Sequence, residues 1–301
     1  MIKRTLCFSN PAYLSLRNGQ LVVKLEAHDN EPERQTSIPI EDIGIIVLDN
    51  RQITLTHGLM SALLDNNASV VTCNASHMPV GLMLPLEGHT VQQERFQDQL
   101  SASVPLRKQL WQQTIQQKIL NQASLLFKLH GIEVGNMRKW ASEVHSGDST
   151  NLEGRAAAFY WSHIFPKSND FTREREGDYP NNLLNYGYAI LRAIIARALV
   201  SSGLLPTMGI HHHNRYNAYC LADDVMEPYR PFVDRLVIQT MAECEDTELT
   251  TNIKRRLLTV PTLEVRIGGQ RSPLMVAASQ TTASLARCYA GECRRMTYPE
   301  L

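Results

Sequence analysis

The chain has 301 residues, a length that suggests one large domain or two unequal ones. Hydrophobic residues make up 43% of the sequence and charged residues 20%, as is ordinary for a soluble globular protein. Thirty basic residues balance thirty acidic ones, so net charge argues neither for nor against nucleic acid. Any DNA-binding surface must therefore come from local clusters of basic residues.

The sequence shows no signal for secretion or for a membrane span. Its start, MIKRTLCFSNPAYLSLRNG, lacks the apolar core of a signal peptide. The most apolar segment, YAILRAIIARALV (188–200), carries two arginines and is too short to cross a bilayer. The six cysteines include no C-x-x-C pair and no zinc-ligand spacing. We therefore expect a reduced, cytoplasmic protein whose cysteines are structural.

Residues 1–87 have the pattern of a β-rich domain. Short apolar runs recur between turn residues: RTLCF, AYLSL, QLVVKL, IGIIVLD, QITLT, SVVTC and VGLML. Asn18-Gly19 is a strong hairpin signal between the second and third runs. One helical segment, 57–67, interrupts the strands. The pattern predicts a small, sandwich-like sheet domain.

Residues 88–301 have helical periodicity instead. Segment 107–131 places Trp111, Ile115 and Ile119 on one stripe, and Gly131 suits its C-terminal cap. Further helices are predicted over 183–203, 230–244 and 273–291. The fold class is therefore predicted as α+β: a small N-terminal β-rich domain followed by a larger all-α domain.

Three consecutive histidines, His211 to His213, follow a turn-rich segment. At this stage a polar loop and a metal site explain them equally well. Asp223, Asp224 and Glu227 come next, on a short predicted helix that must bend or restart at Pro228. In isolation, their spacing favours a solvated helix face paired with Arg230 and Arg235.

Glu153 opens a predicted helix rich in alanine. Thr150 and Glu153 have the T-x-x-E spacing of a capping box, in which the glutamate binds only the backbone at the helix start. From spacing alone, that structural role is favoured over metal binding. Basic clusters at 107–108, 254–256 and 294–295 can be solvated faces or, taken together, contacts to a phosphate backbone.

Several motifs together resemble a known family. NPAYLSL, NLEGRAAAFYW, NNLLNYGYAILRAII and LLPTMGIHHHNRYNAYCLADDVMEPYRPFVD follow in the order seen in the CRISPR-associated integrase of spacer acquisition, the "Cas-one" family. The resemblance runs from about residue 4 to beyond residue 235. It is nearest to the shorter members that accompany a large single-chain RNA-guided nuclease.

The resemblance implies a metal site of Mg²⁺ or Mn²⁺ with three ligands. These are Glu153, His212, selected by its Gly-x-x-His spacing from Gly209, and Glu227. Asp224 is implied as a supporting acid that orients His212 or a bound water. On this basis the catalytic residues are Glu153, His212, Glu227 and Asp224.

The resemblance also implies a reaction and partners. Residues 1–87 would mediate homodimerisation, and residues 88–301 would bind DNA and catalyse. Two dimers would hold a dimer of a small second adaptation protein, in a heterohexamer-like assembly with no membrane. The enzyme would join the 3′-hydroxyl ends of a short foreign DNA duplex to CRISPR repeat DNA by transesterification, with associated endonuclease activity. The alternatives are a metal-dependent nuclease that acts on branched DNA in repair, and a non-catalytic DNA-binding assembly subunit.

The last residues, RRMTYPEL, have two interpretations from sequence: a disordered tail or a docking segment.

Overall fold

The computed structural model describes residues 3–25, 34–165, 171–174 and 177–301. The chain divides into two compact units, Met1–Gly88 and His89–Leu301. Strands dominate the first unit and helices dominate the second, which confirms the predicted α+β fold class.

Within its described residues, the first unit contains two four-stranded sheets and one α-helix. One sheet has the order β1-β5-β7-β8 and the other β4-β3-β2-β6. The bounds are β1 Arg4–Phe8, β2 Ala12–Arg17, β3 Gln20–Leu25, β4 Arg34–Pro39, β5 Ile43–Leu48, β6 Ile53–Leu55, α1 His57–Asp65, β7 Ser69–Cys73 and β8 Pro79–Met83. Buried side chains from both sheets and from α1 form one hydrophobic core, as a sandwich-like domain requires.

All seven apolar runs correspond to strands, but β4 was not predicted. Asn18 and Gly19 both have positive φ, 50° and 69°, and connect β2 to β3 as a hairpin turn. Strand β4 is polar and lies at the edge of its sheet, where it pairs with β3 alone. An exposed edge strand needs no apolar face, so hydrophobic periodicity does not reveal it.

The second unit is mostly helical. Its helices are α2 Gln92–Ser101, α3 Val104–His130, α4 Gly135–Glu143, α5 Leu152–Ile164, α6 Asn181–Ser201, α7 Cys220–Met226, α8 Arg230–Glu243, α9 Thr251–Leu257 and α10 Leu274–Tyr289. It is not all-α as predicted, because β9 Glu264–Ile267, β10 Gln270–Pro273 and β11 Pro299–Glu300 form a small sheet.

Helix α6 is a long, largely apolar helix of the second unit. At 21 residues it extends beyond segment 188–200, so the expectation that it is too short to cross a bilayer is wrong. In the described part of the chain it is the one helix long and apolar enough to do so. However, 72% of its apolar window is buried inside the protein, as in the core helix of a folded domain.

Helix α3 supplies a long central surface in the second unit. Ser103 caps its start by accepting a hydrogen bond from the Leu106 N–H, and Gly131 ends it in the left-handed conformation, with φ 65°. The C-terminal residues pack against this helix rather than forming a disordered tail. The Tyr298 hydroxyl lies 2.7 Å from Thr114 Oγ1, and Asn121 Nδ2 donates to the carbonyl of Pro299.

Candidate active site

Helix α5 brings Glu153 to the site without using its carboxylate as a cap. Asn151 is the N-cap and accepts from the Gly154 N–H, while the Asp148 carboxylate accepts from the N–H groups of Leu152 (2.9 Å) and Glu153 (3.0 Å). The predicted capping box of Thr150 and Glu153 is therefore wrong. Because other side chains satisfy the helix start, the Glu153 carboxylate is available for another role.

Glu153 and Glu227 converge on one ammonium group. Lys118 Nζ lies 2.6 Å from Glu153 Oε1 and 2.7 Å from Glu227 Oε2. Glu153 belongs to α5, Glu227 to the turn after α7, and Lys118 to α3. Burial by itself lowers the pKa of Lys118, but Glu227 and Glu153 outweigh that effect, and the pKa lies above its ordinary value.

Glu227 lies at the helix break that Pro228 predicts. Helix α7 ends at Met226, a single 3₁₀ turn spans Glu227–Tyr229, and α8 restarts at Arg230. Glu227 is buried, and Arg230 Nε lies 2.8 Å from its Oε1. Burial raises the pKa of Glu227, yet Arg230 and Lys118 more than offset this and lower it to about 2. Glu227 is therefore a buried carboxylate held in its charged form.

Asp224 is also buried, and it organises the histidine loop. Its Oδ2 accepts from the backbone N–H groups of His211 (2.8 Å) and His212 (3.3 Å), and its Oδ1 bonds the Nδ1 of His212. That hydrogen bond is the main cause of a raised pKa at His212, with burial opposing it. Since Nδ1 is bonded to Asp224, the Nε2 of His212 is the ring nitrogen left for a ligand.

Gly209 allows this loop to close. A Cβ at residue 209 would lie 2.3 Å from the backbone carbonyl oxygen of His212 and 3.0 Å from Asp224 Oδ2. No side chain fits in that space, so the Gly-x-x-His spacing has a steric cause. His211, the residue before His212, stacks on Trp111 of α3, with ring centroids 4.4 Å apart. Burial and the neighbouring His212 lower the pKa of His211.

A second buried network lies behind the carboxylates. The hydroxyl of Tyr160 donates to Asp234 Oδ2 at 2.7 Å, and that of Tyr188 donates to Asp234 Oδ1 at 2.5 Å. The guanidinium of Arg230 also lies 4.6 Å from the centroid of the Tyr188 ring. These contacts connect α5, α6 and α8 around Arg230, the residue that pairs with Glu227.

The solvated helix face expected from spacing is not observed. Asp224 and Glu227 are buried, and Asp223 instead pairs with Arg192, whose Nε lies 2.6 Å from Asp223 Oδ1. Arg230 does pair with Glu227, but Arg235 lies over the Phe232 ring. Of the basic clusters, 254–256 is not one surface, because Lys254 is buried while Arg255 is exposed.

As the side chains stand, no group of three or more His, Cys, Asp or Glu residues in the described ranges could hold a metal ion. The ammonium of Lys118 lies where a cation shared by Glu153 and Glu227 would lie. Even so, the donor set fits a divalent cation: two carboxylates already converge on one positive charge. Glu227 Oε2 is buried, and its contact is the Lys118 ammonium at 2.7 Å.

Lys118 is the site residue that the sequence analysis missed. It lies seven residues after Trp111 and three after Ile115, so it falls on the apolar stripe of α3. A buried lysine is costly unless its charge is paired. The position of Lys118 on the apolar stripe could therefore have indicated a buried acidic partner.

Comparisons with known proteins identify the family. The family described as "CRISPR associated protein Cas1" matches residues 6–256. The chain therefore belongs to the Cas1 family, the same family that its motifs resemble. It is 36% identical over 286 residues to "CRISPR-associated endonuclease Cas1" of Neisseria meningitidis serogroup C (strain 8013), a match that covers 94% of this chain and 91% of that protein.

Solved structures share the fold. A chain of "Casposase bound to integration product" has a TM-score of 0.80 at 20% identity, covering 98% of this chain and 92% of its own. A chain of a "Cas6-RT-Cas1--Cas2 complex" has a TM-score of 0.75 at 20% identity and covers 97% of this chain, which spans 35% of that longer chain.

Proposed function

We propose that this protein is a metal-dependent DNA integrase of CRISPR adaptation. It joins the 3′-hydroxyl ends of a short foreign duplex to repeat DNA. The observation that carries the proposal is the convergence of Glu153 and Glu227 on one cation, in a chain of the Cas1 family. Both glutamates are also near enough to His212 to raise its pKa. Carboxylate oxygens and an imidazole are a donor set suited to Mg²⁺ or Mn²⁺.

Glu153, His212 and Glu227 are the proposed metal ligands. When bound, the cation would act as a Lewis acid on the phosphoryl oxygens and lower the pKa of the attacking hydroxyl. Asp224 bonds Nδ1 of His212, so Nε2 is the ring nitrogen that would bind the metal. Arg230 keeps Glu227 charged, because it compensates the carboxylate at 2.8 Å.

The proposed reaction is a transesterification at phosphorus. The 3′-oxygen of the captured duplex forms a new bond to a repeat phosphorus as the bond from that phosphorus to its own 3′-oxygen breaks. The proton that the attacking hydroxyl loses is balanced by the proton that the leaving oxygen gains. The number of phosphodiester bonds is unchanged, so the reaction needs no external energy source.

The proposed partners are DNA, a second copy of this chain and a small second adaptation protein. Their support is the family resemblance, together with the solved structures described as a casposase with its integration product and as a Cas1–Cas2 complex. Association with a system that uses a large single-chain RNA-guided nuclease, homodimerisation through residues 1–87, a heterohexamer-like assembly and a cytoplasmic location stay predictions.

A second activity is favoured by the relatives' shared name, "endonuclease". If water rather than a 3′-hydroxyl attacks the phosphorus, the same residues would cleave branched DNA. That outcome is the repair nuclease alternative, and it uses the same metal ligands.

An integration assay separates these functions. It combines the protein, its small partner, Mn²⁺ or Mg²⁺, a duplex with 3′ overhangs and a supercoiled plasmid that carries the repeat. Glu227→Ala runs beside the wild type, with Glu245→Ala as the control because Glu245 is exposed. We expect metal-dependent joining by the wild type and the control, and none by Glu227→Ala. Joining by all three proteins would remove Glu227 from the site. Cleavage of branched DNA without any joining would favour the nuclease.

A further inference from the structure

We infer that Lys118 is a positioning residue: an internal counter-cation that holds Glu153 and Glu227 together in the metal-free protein and withdraws when a divalent ion binds. The inference rests on the proposed metal site and adds a fourth residue to it. Nothing in the family resemblance assigned this lysine a role.

The position of Lys118 in the fold makes a purely structural role costly. Ile115 and Ile119, its neighbours on α3, are fully buried, and the Lys118 side chain itself is only 11% exposed. An apolar side chain of similar length would pack on this stripe without any penalty for removing a charge from water. What distinguishes lysine from such a residue is its ammonium, and the ammonium contacts both glutamates.

The two glutamates depend on Lys118 unequally. Glu227 has a second cation in Arg230, at 2.8 Å. Among the described residues, Lys118 is the cation that pairs with Glu153. Without Lys118, Glu153 would face Glu227 with no counter-charge of its own, and two like charges this close repel strongly in a partly buried site. The ammonium is therefore what allows both carboxylates to converge before a metal arrives.

A divalent ion and the Lys118 ammonium would compete for the same two oxygens, Glu153 Oε1 and Glu227 Oε2. Both are positive, so they repel each other when they share a pair of carboxylates. Lysine suits this exchange because its charge sits on a flexible four-carbon stem. The planar guanidinium of an arginine would instead hold two carboxylates in a fixed geometry.

The test is Lys118→Met, which keeps the length of the side chain and removes its charge. Mn²⁺ binding is measured by calorimetry, and thermal unfolding is followed with and without Mn²⁺. Lys139→Met is the matched control, because Lys139 is exposed and makes a surface pair with Glu143 at 3.8 Å. Without metal, we expect Lys118→Met to unfold at a lower temperature than the wild type. Mn²⁺ should raise the unfolding temperature of the variant by more than it raises that of the wild type. Its Mn²⁺ affinity should rise by about tenfold or more, equivalent to about 1.4 kcal/mol.

A second variant keeps the charge but places it on a planar guanidinium. Lys118→Arg should fold, because it can still pair with both glutamates, but should bind Mn²⁺ more weakly than the wild type. This variant also tests the inference if Lys118→Met does not fold.

The outcomes separate the inference from the proposed function. Equal or weaker Mn²⁺ binding by Lys118→Met, with binding by the wild type intact, would overturn the role of Lys118 alone. Binding by Lys118→Met but not by the wild type would support it. No binding by either protein would overturn both the metal site and the inference built on it.

Discussion

Asp224 binds His212 at two places, accepting from its backbone N–H and from its ring Nδ1. A single buried carboxylate therefore fixes both the path of the loop and the orientation of the imidazole. This arrangement leaves Nε2 as the ring nitrogen that can face a ligand. The family resemblance implies a supporting role for Asp224, and these two contacts are the ones through which it would act on His212.

Substitution of Asp224 by asparagine should weaken metal binding. The amide keeps the size of the side chain but cannot accept from every N–H group that the carboxylate now serves. We expect Mn²⁺ affinity to fall about 10- to 100-fold, the usual effect of losing a residue that orients a ligand. Calorimetric titration measures this. Asp223→Asn is the control, since Asp223 pairs with Arg192 instead. Unchanged affinity in Asp224→Asn would show that His212 needs no such support.

Substitution of Arg230 by methionine should destabilise the protein. Glu227 would keep only Lys118 to compensate its buried charge, and breaking a buried ion pair costs about 3–5 kcal/mol. Denaturant unfolding of the metal-free protein gives the free energy directly. Arg271→Met is the control, because its pair with Glu264, at 3.3 Å, is exposed on both sides and should contribute about 1 kcal/mol or less. If both variants lost a similar free energy of unfolding, burial would not be what makes the Arg230–Glu227 pair important.

Substitution of Gly209 by alanine should displace the histidine loop. The new Cβ would lie 2.3 Å from the His212 carbonyl oxygen, so the backbone must move and carry His212 away from Asp224. We expect DNA joining to be lost while the protein still folds. The integration assay and a thermal melt measure the two effects. Gly135→Ala is the matched control, since nothing lies within 4 Å of a Cβ there. Full activity in Gly209→Ala would mean that the loop tolerates the shift.

Asp234 should make the stability of the protein depend on pH. Burial raises its pKa to about 6, against the hydrogen bonds from Tyr188 and Tyr160 and the charges of Arg230 and Arg173. The folded state then binds a proton more tightly than the unfolded state, whose carboxyl has a pKa near 3.8. The contribution of Asp234 to stability is therefore highest below pH 4 and falls as the pH rises to about 6.

Asp234→Asn tests this directly. The unfolding free energy of the wild type minus that of the variant should decrease between about pH 4 and pH 6, by at most roughly 3 kcal/mol. Urea unfolding across this range gives the difference. Asp246→Asn, at an exposed position, serves as the control for replacing a carboxyl by an amide. A difference that grows with pH would mean that the two tyrosine hydroxyls outweigh burial.

The sequence predicted elements whose signal is local. Asn18-Gly19 needs only its own backbone conformation to form the hairpin, and Pro228 needs only its ring to break the helix at Glu227. The apolar stripe of α3 likewise follows from its own periodicity. These features do not depend on which other segments lie nearby, so reading along the chain finds them.

The features that were missed depend on contacts distant in the sequence. Lys118 and Glu153 are 35 residues apart, and no spacing rule links them. The capping interpretation of Glu153 was wrong for a local reason instead: Asn151 rather than Thr150 is the N-cap, and Asp148 accepts from the N–H groups of Leu152 and Glu153. The burial of Asp224 and Glu227 depends on how α7 packs against other helices. Local patterns cannot show which of two alternative partners a side chain takes.

The side-chain nitrogen of Asn121 donates to two main-chain oxygens. Its Nδ2 donates to the carbonyl oxygens of Pro228 (2.7 Å) and Pro299 (2.9 Å), which links the helix break beside Glu227 to strand β11. Every amino acid has a carbonyl oxygen, so the side chain at 299 can change without removing this link. Residue 121 has no such freedom. In a set of variants, we therefore expect tolerance at 299 and intolerance at 121, while the ring of Pro228 is still needed to break the helix.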